Sequence, residues 1–266
     1  MSFLVVGNAD GIGGLVERLL AEADAPVRRV ELTSPDRLRA AAADRTAVFL
    51  DWPYDRVHAV FPYADTAAEV VSALAGPGRR IVLLSTHAVR DDEPPTSFHS
   101  TLELLLRAAT PDWTALRMSM PASITLAWAE ELRATGVVHG PYALAARTLV
   151  DERDVAEVAA RVLLDGGHTG RAHYVTGPVA LTHADRARIL GDTFGETWRY
   201  QEVPRAEFRE RLLATWSPEH ADGILDHMAR QVSDPEQPTD VVQRITGHPA
   251  RSLAEWARAH AAEFSR

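Results

Sequence analysis

Short apolar runs and helical stripes take turns along the first two thirds of the chain. Residues 3–6 are continuously apolar, Val16, Leu19, Leu20 and Ala23 fall at helical spacing, and residues 27–32 return to a β-branched run, which predicts β-α-β from the start. Ser34-Pro35 pairs an N-cap residue with a first-turn proline, and residues 47–50 read as a third strand. A helix over 64–74 runs into Gly76-Pro77-Gly78, which breaks the chain before a fourth strand at 80–84, a helix over 98–109 and a strand at 113–117. Apolar Val155, Val158, Ala159, Val162 and Leu163 predict a further helix over 155–164, and residues 172–176 another strand. Such alternation with short links predicts an α/β fold, a doubly wound parallel sheet of the Rossmann type with six or seven strands, and ligands outside the carboxyl ends of those strands.

Beyond Gly177 the pattern is mainly helical. It contains one strand candidate at 198–203, helix starts at Thr182 and Ser217-Pro218, and a capping box at Ser252 and Glu255 before a helix that buries Leu253, Trp256, Ala257 and Phe264. The expected organisation is a dinucleotide-binding domain over 1–177 and a smaller, mainly helical substrate lobe over 178–266, with part of 118–150 contributing to the lobe.

Composition narrows the function classes. Against 37 acids stand 28 basic residues, a net charge of −9 over 266 residues, so affinity for nucleic acid through phosphate neutralisation is not expected. Cysteine is absent, which removes disulfides and thiolate metal sites and suits a cytoplasmic protein. The N-terminus has no basic region ahead of its short apolar run, and no stretch approaches the roughly 20 apolar residues of a membrane span. Every basic residue other than histidine is arginine, so no mechanism here uses a lysine. There is no Gly-x-Ser-x-Gly elbow and no His-Glu-x-x-His set, and His220 and His227 read as surface residues, so neither a hydrolase nor a metal site is expected. The expected partner is a small-molecule substrate; nothing in the sequence sets an oligomeric state.

Directly after the first strand comes Gly7-Asn8-Ala9-Asp10-Gly11-Ile12-Gly13, opening an amphipathic helix. Glycines there permit a tight turn and close backbone approach, and the helix N-terminus receives a pyrophosphate. The spacing resembles the loop of short-chain dehydrogenases/reductases. The remainder is similar to their atypical NmrA-like branch, through Phe98-His99, Leu104-Leu105-Leu106-Arg107, Asp112-Trp113-Thr114-Ala115-Leu116-Arg117, Trp128-Ala129-Glu130, Gly140-Pro141, Asp154-Val155-Ala156, Tyr174-Val175-Thr176-Gly177-Pro178 and Arg251-Ser252-Leu253-Ala254-Glu255-Trp256, in that order. The resemblance implies a Rossmann-type domain with a smaller C-terminal lobe, and NAD(P) binding in a reductase or a redox sensor. Asp10 stands where the branch usually has its middle glycine, and the family's Tyr-x-x-x-Lys pair is missing, so the usual proton donor cannot operate here.

Candidate chemistry follows from the strand ends. Glu31, about 20 residues past the glycines, suits a ribose-binding acid and slightly favours NAD over NADP, although Arg28, Arg29 and Arg37 could instead meet a 2′-phosphate. Asp51 and Trp52 end the third strand where the family lines the cofactor pocket, with Tyr54 beyond them on the substrate side. Ser85 matches the position of the family's catalytic serine, followed by Thr86 and His87. His99 and Glu103 sit at i, i+4, the spacing of the missing Tyr and Lys, so Glu103 is expected to raise and orient the imidazole as a replacement acid. Met118, Met120 and Trp128 form an expected apolar wall of the pocket. The leading expectation is an NAD(P)-dependent reductase or dehydrogenase of a small, fairly apolar carbonyl or quinone-like compound. Its rivals are a non-catalytic dinucleotide sensor and a non-redox cyclase or dehydratase on the same fold.

Overall fold

Strand and helix alternate in the computed structural model, which describes residues 1–53, 62–92, 94–95 and 97–265. In chain order the first elements are β1 (Phe3–Val6), α1 (Ile12–Glu22), β2 (Val27–Val30), α2 (Pro35–Ala42), β3 (Ala47–Asp51), α3 (Ala67–Leu74), β4 (Arg80–Thr86), α4 (Phe98–Ala109) and β5 (Trp113–Met118). They continue with β6 (Met120–Pro121), α5 (Ala129–Thr135), β7 (Val137–Gly140), β8 (Ala146–Val150), α6 (Glu152–Leu164), β9 (Arg171–Val175) and β10 (Ala180–Thr182). The last are α7 (His183–Phe194), β11 (Arg199–Glu202), α8 (Arg205–Leu213), α9 (Pro218–Ser233), α10 (Val241–Thr246), α11 (Leu253–Ala259) and α12 (Ala261–Phe264).

The chain forms two compact units and passes between them repeatedly. The first comprises 1–118, 152–175 and 241–248, and the second 119–151, 176–240 and 249–266. Residues 119–151 therefore belong with the C-terminal segments, and α6, β9 and α10 with the N-terminal ones.

The first unit holds a six-stranded parallel sheet in the order β2-β1-β3-β4-β5-β9. Its central strands are buried along their length, because helices cover both faces and leave no polar side to alternate with. On one face Leu4, Val48, Leu50, Ile81 and Leu83 pack with Leu38, Val71, Leu74, Leu102 and Leu106 from α2, α3 and α4. On the other, α1 packs against α6. The strand order reverses between β1 and β3, the crevice where open α/β sheets bind their ligands.

The second unit is built from short strand pairs and helices. Trp198, Trp256, Phe264, Leu190, Leu132 and Leu149 lie at its core. Capping boxes at Thr182 and Asp185 and at Ser252 and Glu255 start α7 and α11, each Ser or Thr hydroxyl taking an orphan N–H of the first turn. No helix among the described residues is long and apolar enough to cross a membrane.

Candidate functional site

The glycine loop and Asp51 face each other across the β1/β3 switch point. Gly11 caps α1 in an extended conformation without any side-chain cap, and in the first turn the Gly13 N–H goes to Asp51 and the Gly14 N–H to the Asn8 carbonyl, which leaves the Ile12 N–H for an anion over the helix start. A Cβ on Gly11 would make ordinary van der Waals contacts, 3.9 Å from the Asn8 carbonyl oxygen and 3.9 Å from Asp51 Oδ2, so this position tolerates a side chain without a clash. Behind it the glycines are crowded: a Cβ on Gly13 would come within 3.2 Å of the Gly7 Cα, one on Gly7 within 3.0 Å of the Asp51 Cβ, and one on Gly14 within 1.7 Å of the Ala9 carbonyl oxygen. Gly14, which the sequence analysis passed over, is thus the glycine most strictly required; the Gly13-Gly14 doublet was its signal. Asn8 accepts the Gly14 N–H through its carbonyl at 3.1 Å, Ile12 is buried, and the side chains of Asn8 and Asp10 are exposed on the loop. An exposed backbone cradle of this kind fits the pyrophosphate of a dinucleotide.

The Asp51 Oδ2 accepts the Gly13 N–H at 3.4 Å, and burial pushes this carboxyl up from 3.8 to about 6, the Gly13 bond opposing. A carboxyl whose folded pKa is raised favours folding at low pH and loses that contribution as pH rises through the folded value. Thermal unfolding is therefore expected to show a stability loss between pH 3.8 and about 6 that Asp51→Asn removes; an identical pH profile in the variant would contradict this.

Glu31 is exposed just after β2. Of the arginines near it, Arg29 pairs with Glu17 at 2.9 Å and donates to the Gly7 carbonyl at 3.2 Å, so its guanidinium braces the loop from below. Trp52 is corrected from a cofactor contact to a core side chain: it is 4% exposed, lies edge-on to Phe98 at 5.2 Å and donates its indole N–H to the Pro62 carbonyl at 2.8 Å. Tyr54 falls outside the described residues.

The end of β4 leads into a buried charge network. The Ser85 hydroxyl, 3% exposed, donates to Glu103 Oε1 at 2.6 Å. Glu103 also accepts from Arg117 Nε and Nη2 at 3.1 and 2.8 Å and from Arg107 Nη2 at 3.1 Å. Arg117, fully buried on β5, reaches Asp91 with Nη2 at 2.7 Å and Nη1 at 3.2 Å, and donates to the Tyr174 hydroxyl at 2.6 Å. Two guanidiniums thus meet two carboxylates in fork geometry, and both arginines hold Asp91 down at about 2.

This network changes the reading of Ser85, His99 and Glu103. Glu103 is hydrogen-bonded to Ser85 and two arginines rather than to His99, one helical turn before it. Burial pushes the His99 imidazole below its ordinary value, and the Glu103 charge only partly opposes that. Glu103 does act upward on His99 as expected, but the expected net rise is corrected, because burial of the imidazole outweighs it. Arg117, Asp91 and Tyr174 were not singled out from sequence, although an arginine inside an apolar strand was a readable anomaly.

His87 lies edge-on to Tyr174 at 5.0 Å, and its backbone N–H donates to the carbonyl of half-buried Met118 at 2.8 Å, so both stay at the carboxyl ends of β4, β5 and β9. Met120 and Trp128 belong to the second unit, where they pack on its core; Trp128 meets His183 at 6.1 Å and Tyr200 at 5.7 Å. Asp154, Glu157 and His248 bring possible ligand atoms within 4.8 Å of one another, but His248 and Glu157 are already hydrogen-bonded, and an acidic cluster alone is no metal site.

No family model matches this chain. It is 33% identical to the (4-alkanoyl-5-oxo-2,5-dihydrofuran-3-yl)methyl phosphate reductase of Streptomyces griseus subsp. griseus, over 98% of this chain and 99% of the relative. It is 28% identical to an NAD(P)H azoreductase of Xenophilus azovorans over 98% of both chains. Among solved structures, the NADPH-dependent quinone oxidoreductase of Escherichia coli, complexed with NADPH, superposes with a TM-score of 0.77 at 21% identity over 98% of this chain and 99% of that one. Citrobacter sp. triphenylmethane reductase complexed with NADP(H) does so with 0.77 at 20% identity over 97% and 99%.

Proposed function

This chain belongs to the family of oxidoreductases that contains the Streptomyces griseus reductase, and we propose that it is an NAD(P)-dependent reductase of a small, fairly apolar carbonyl or quinone-like compound. Within that family we place it in the NmrA-like branch of the short-chain dehydrogenases/reductases, on the ordered sequence fragments given above. The observation that carries the reading is the glycine turn that starts α1 at the switch point with no side-chain cap from Gly11, backed by glycines too crowded to be replaced freely. The names of the azoreductase and of the NADPH-complexed quinone oxidoreductase support the cofactor class.

In this reading Gly7, Asn8, Asp10, Gly11, Ile12 and Gly13 hold the pyrophosphate, Asp51 orders the loop through Gly13, and Glu31 takes the adenine ribose. The bound dinucleotide supplies the hydride that no side chain can. His99 offers the reduced oxygen a neutral imidazole N–H. Ser85 and Glu103 do not touch substrate; they fix α4, and with it His99. His99→Ala is expected to lower kcat about 10²-fold while dinucleotide affinity is kept. An unchanged kcat would remove His99 from the chemistry.

Glu31 also sets a preference. Its carboxylate suits two ribose hydroxyls and repels a 2′-phosphate, so NADH is expected to bind more tightly than NADPH, and Glu31→Ala to narrow the gap. A wild-type preference for NADPH, measured by fluorescence titration, would shift the assignment to Arg28 and Arg37.

The direct test of the activity is oxidation of NADH or NADPH by the purified protein with a panel of quinones, azo dyes and enones, followed by absorbance. Turnover of one class supports the reductase. The burial of Ser85 and the missing Tyr-x-x-x-Lys pair favour one rival, a dinucleotide sensor; binding of both redox forms with no consumption across the panel would establish it.

A further inference from the structure

The second unit holds one buried arginine and one largely buried arginine that its own carboxylates do not satisfy. Arg186, on α7, is 3% exposed, and Arg147, on β8, has a side chain 13% exposed. Among the described residues neither Nε has a hydrogen-bond partner. Among the described residues, the one hydrogen bond of the Arg186 guanidinium is a long contact from Nη2 to the Arg147 carbonyl oxygen at 3.5 Å. Among the described residues Arg147 reaches the His227 Nε2 at 3.5 Å and the Glu236 carboxylate at 3.8 Å, and Glu236 Oε2 is itself taken up by the Thr148 N–H and hydroxyl.

The charges around this pair do not balance. Burial and the Arg147 charge push Arg186 down to about 9, and burial lowers Arg147 as well, yet Arg186 remains protonated at neutral pH. His183 and His227, which flank the pair, are both pushed below the ordinary value by burial and by the arginines, so they add no positive charge. Asp185, the acid beside Arg186, caps its own helix through Thr182 and pairs outward with Arg188. Two guanidiniums thus share one carboxylate. A buried cation without a partner is strongly unfavourable, and packed apolar residues would serve the fold better, so such a pair calls for a ligand that completes it.

We propose that Arg147 and Arg186 form a receptor for an oxyanion, a phosphate ester or carboxylate carried by the substrate. Guanidinium forks suit that chemistry because their planar donors match two oxygens of one group, and a site out of bulk water strengthens each bond. Gln231, 7% exposed and hydrogen-bonded to the His227 Nε2 at 3.0 Å, keeps His227 turned along α9 beside Arg147. The assignment rests on the reductase reading only in making the owner of the anion a substrate; the anion site itself is measured without turnover.

The test is thermal unfolding of the full chain in phosphate, acetate or chloride at matched ionic strength, for wild type, Arg186→Gln, Arg147→Gln and Gly11→Val. Phosphate, acetate or both should raise the wild-type midpoint above that in chloride, and which of them does so identifies the oxyanion. The gain should vanish in both arginine variants and persist in Gly11→Val, which separates this site from the dinucleotide loop. Should Arg186→Gln not fold, wild type and Arg147→Gln decide. No anion-linked gain in wild type, or a gain that survives Arg147→Gln, overturns the proposal. With turnover in hand, kcat/KM for an alkanoyl furanone bearing a methyl phosphate, relative to its dephosphorylated alcohol, should fall about ten- to hundredfold in Arg147→Gln. An unchanged ratio places any phosphate recognition elsewhere. If no substrate is turned over but the anion-linked gain follows the arginines, the reductase reading fails and the anion site stands.

Discussion

Arg117→Met is expected to lower the free energy of unfolding by about 3–5 kcal/mol, the loss that follows when one partner of a buried ion pair is removed. Arg117 is fully buried and holds Glu103, itself 2% exposed, through two hydrogen bonds, and it holds Asp91 as well. Methionine fills much of the stem volume but leaves Glu103 with only Arg107 and Ser85. The double variant Arg117→Met/Glu103→Gln should recover part of the loss, because the carboxylate no longer needs a counter-charge. Denaturant unfolding of wild type and the two variants reads this directly. A cost below about 1 kcal/mol would place the network among ordinary surface ion pairs instead.

Gly14→Ala is expected to weaken dinucleotide binding by about ten- to hundredfold, the loss of a hydrogen bond to a charged phosphate group. The added Cβ would fall 1.7 Å from the Ala9 carbonyl oxygen, and since both are backbone-fixed the loop must move. The same displacement should lower the midpoint of thermal unfolding. Wild-type affinity in a calorimetric titration of Gly14→Ala would show that the loop does not shape the site.

The alternation of strands and helices in the first unit was legible because each buried strand is a short continuous apolar run bounded by turn residues. β4 and α4 are examples, since Gly76-Pro77-Gly78 precedes the former and Ser97 caps the latter. The caps at Thr182, Ser217 and Ser252 were legible too, being local hydrogen bonds written in four residues. Membership of residues 119–151 in the second unit was legible only in part, since it depends on pairings such as β6 with β8 and β10 with β8 that link distant segments.

The site was legible as backbone and much less so as side chains. The glycine loop announces itself through spacing. Whether Ser85 faces substrate or Glu103 depends on a side chain 18 residues away, and whether Glu103 serves His99 depends on Arg117 and Arg107, which outcompete it for the carboxylate. Trp52 was misread for a similar reason: an aromatic after a strand fits a pocket or a core equally well, and here Phe98 and the Pro62 carbonyl claim it. His227 was read as surface because one of its partners, Arg147, lies on a strand 80 residues away, although the other, Gln231, is one turn along the same helix.

The central claim, a dinucleotide over the start of α1, is tested most directly at Gly11. A Cβ there would meet Asn8 and Asp51 only at ordinary contact distance, 3.9 Å, so a valine costs the fold little while standing over the helix start that a bound dinucleotide would use. Calorimetric titration of NADH and NADPH into wild type and Gly11→Val is the measurement. Wild type is expected to bind at least one of them, and Gly11→Val to lose about ten- to hundredfold in affinity with an unchanged unfolding midpoint. Wild type that binds neither, or a Gly11→Val protein that binds as wild type does, would contradict it.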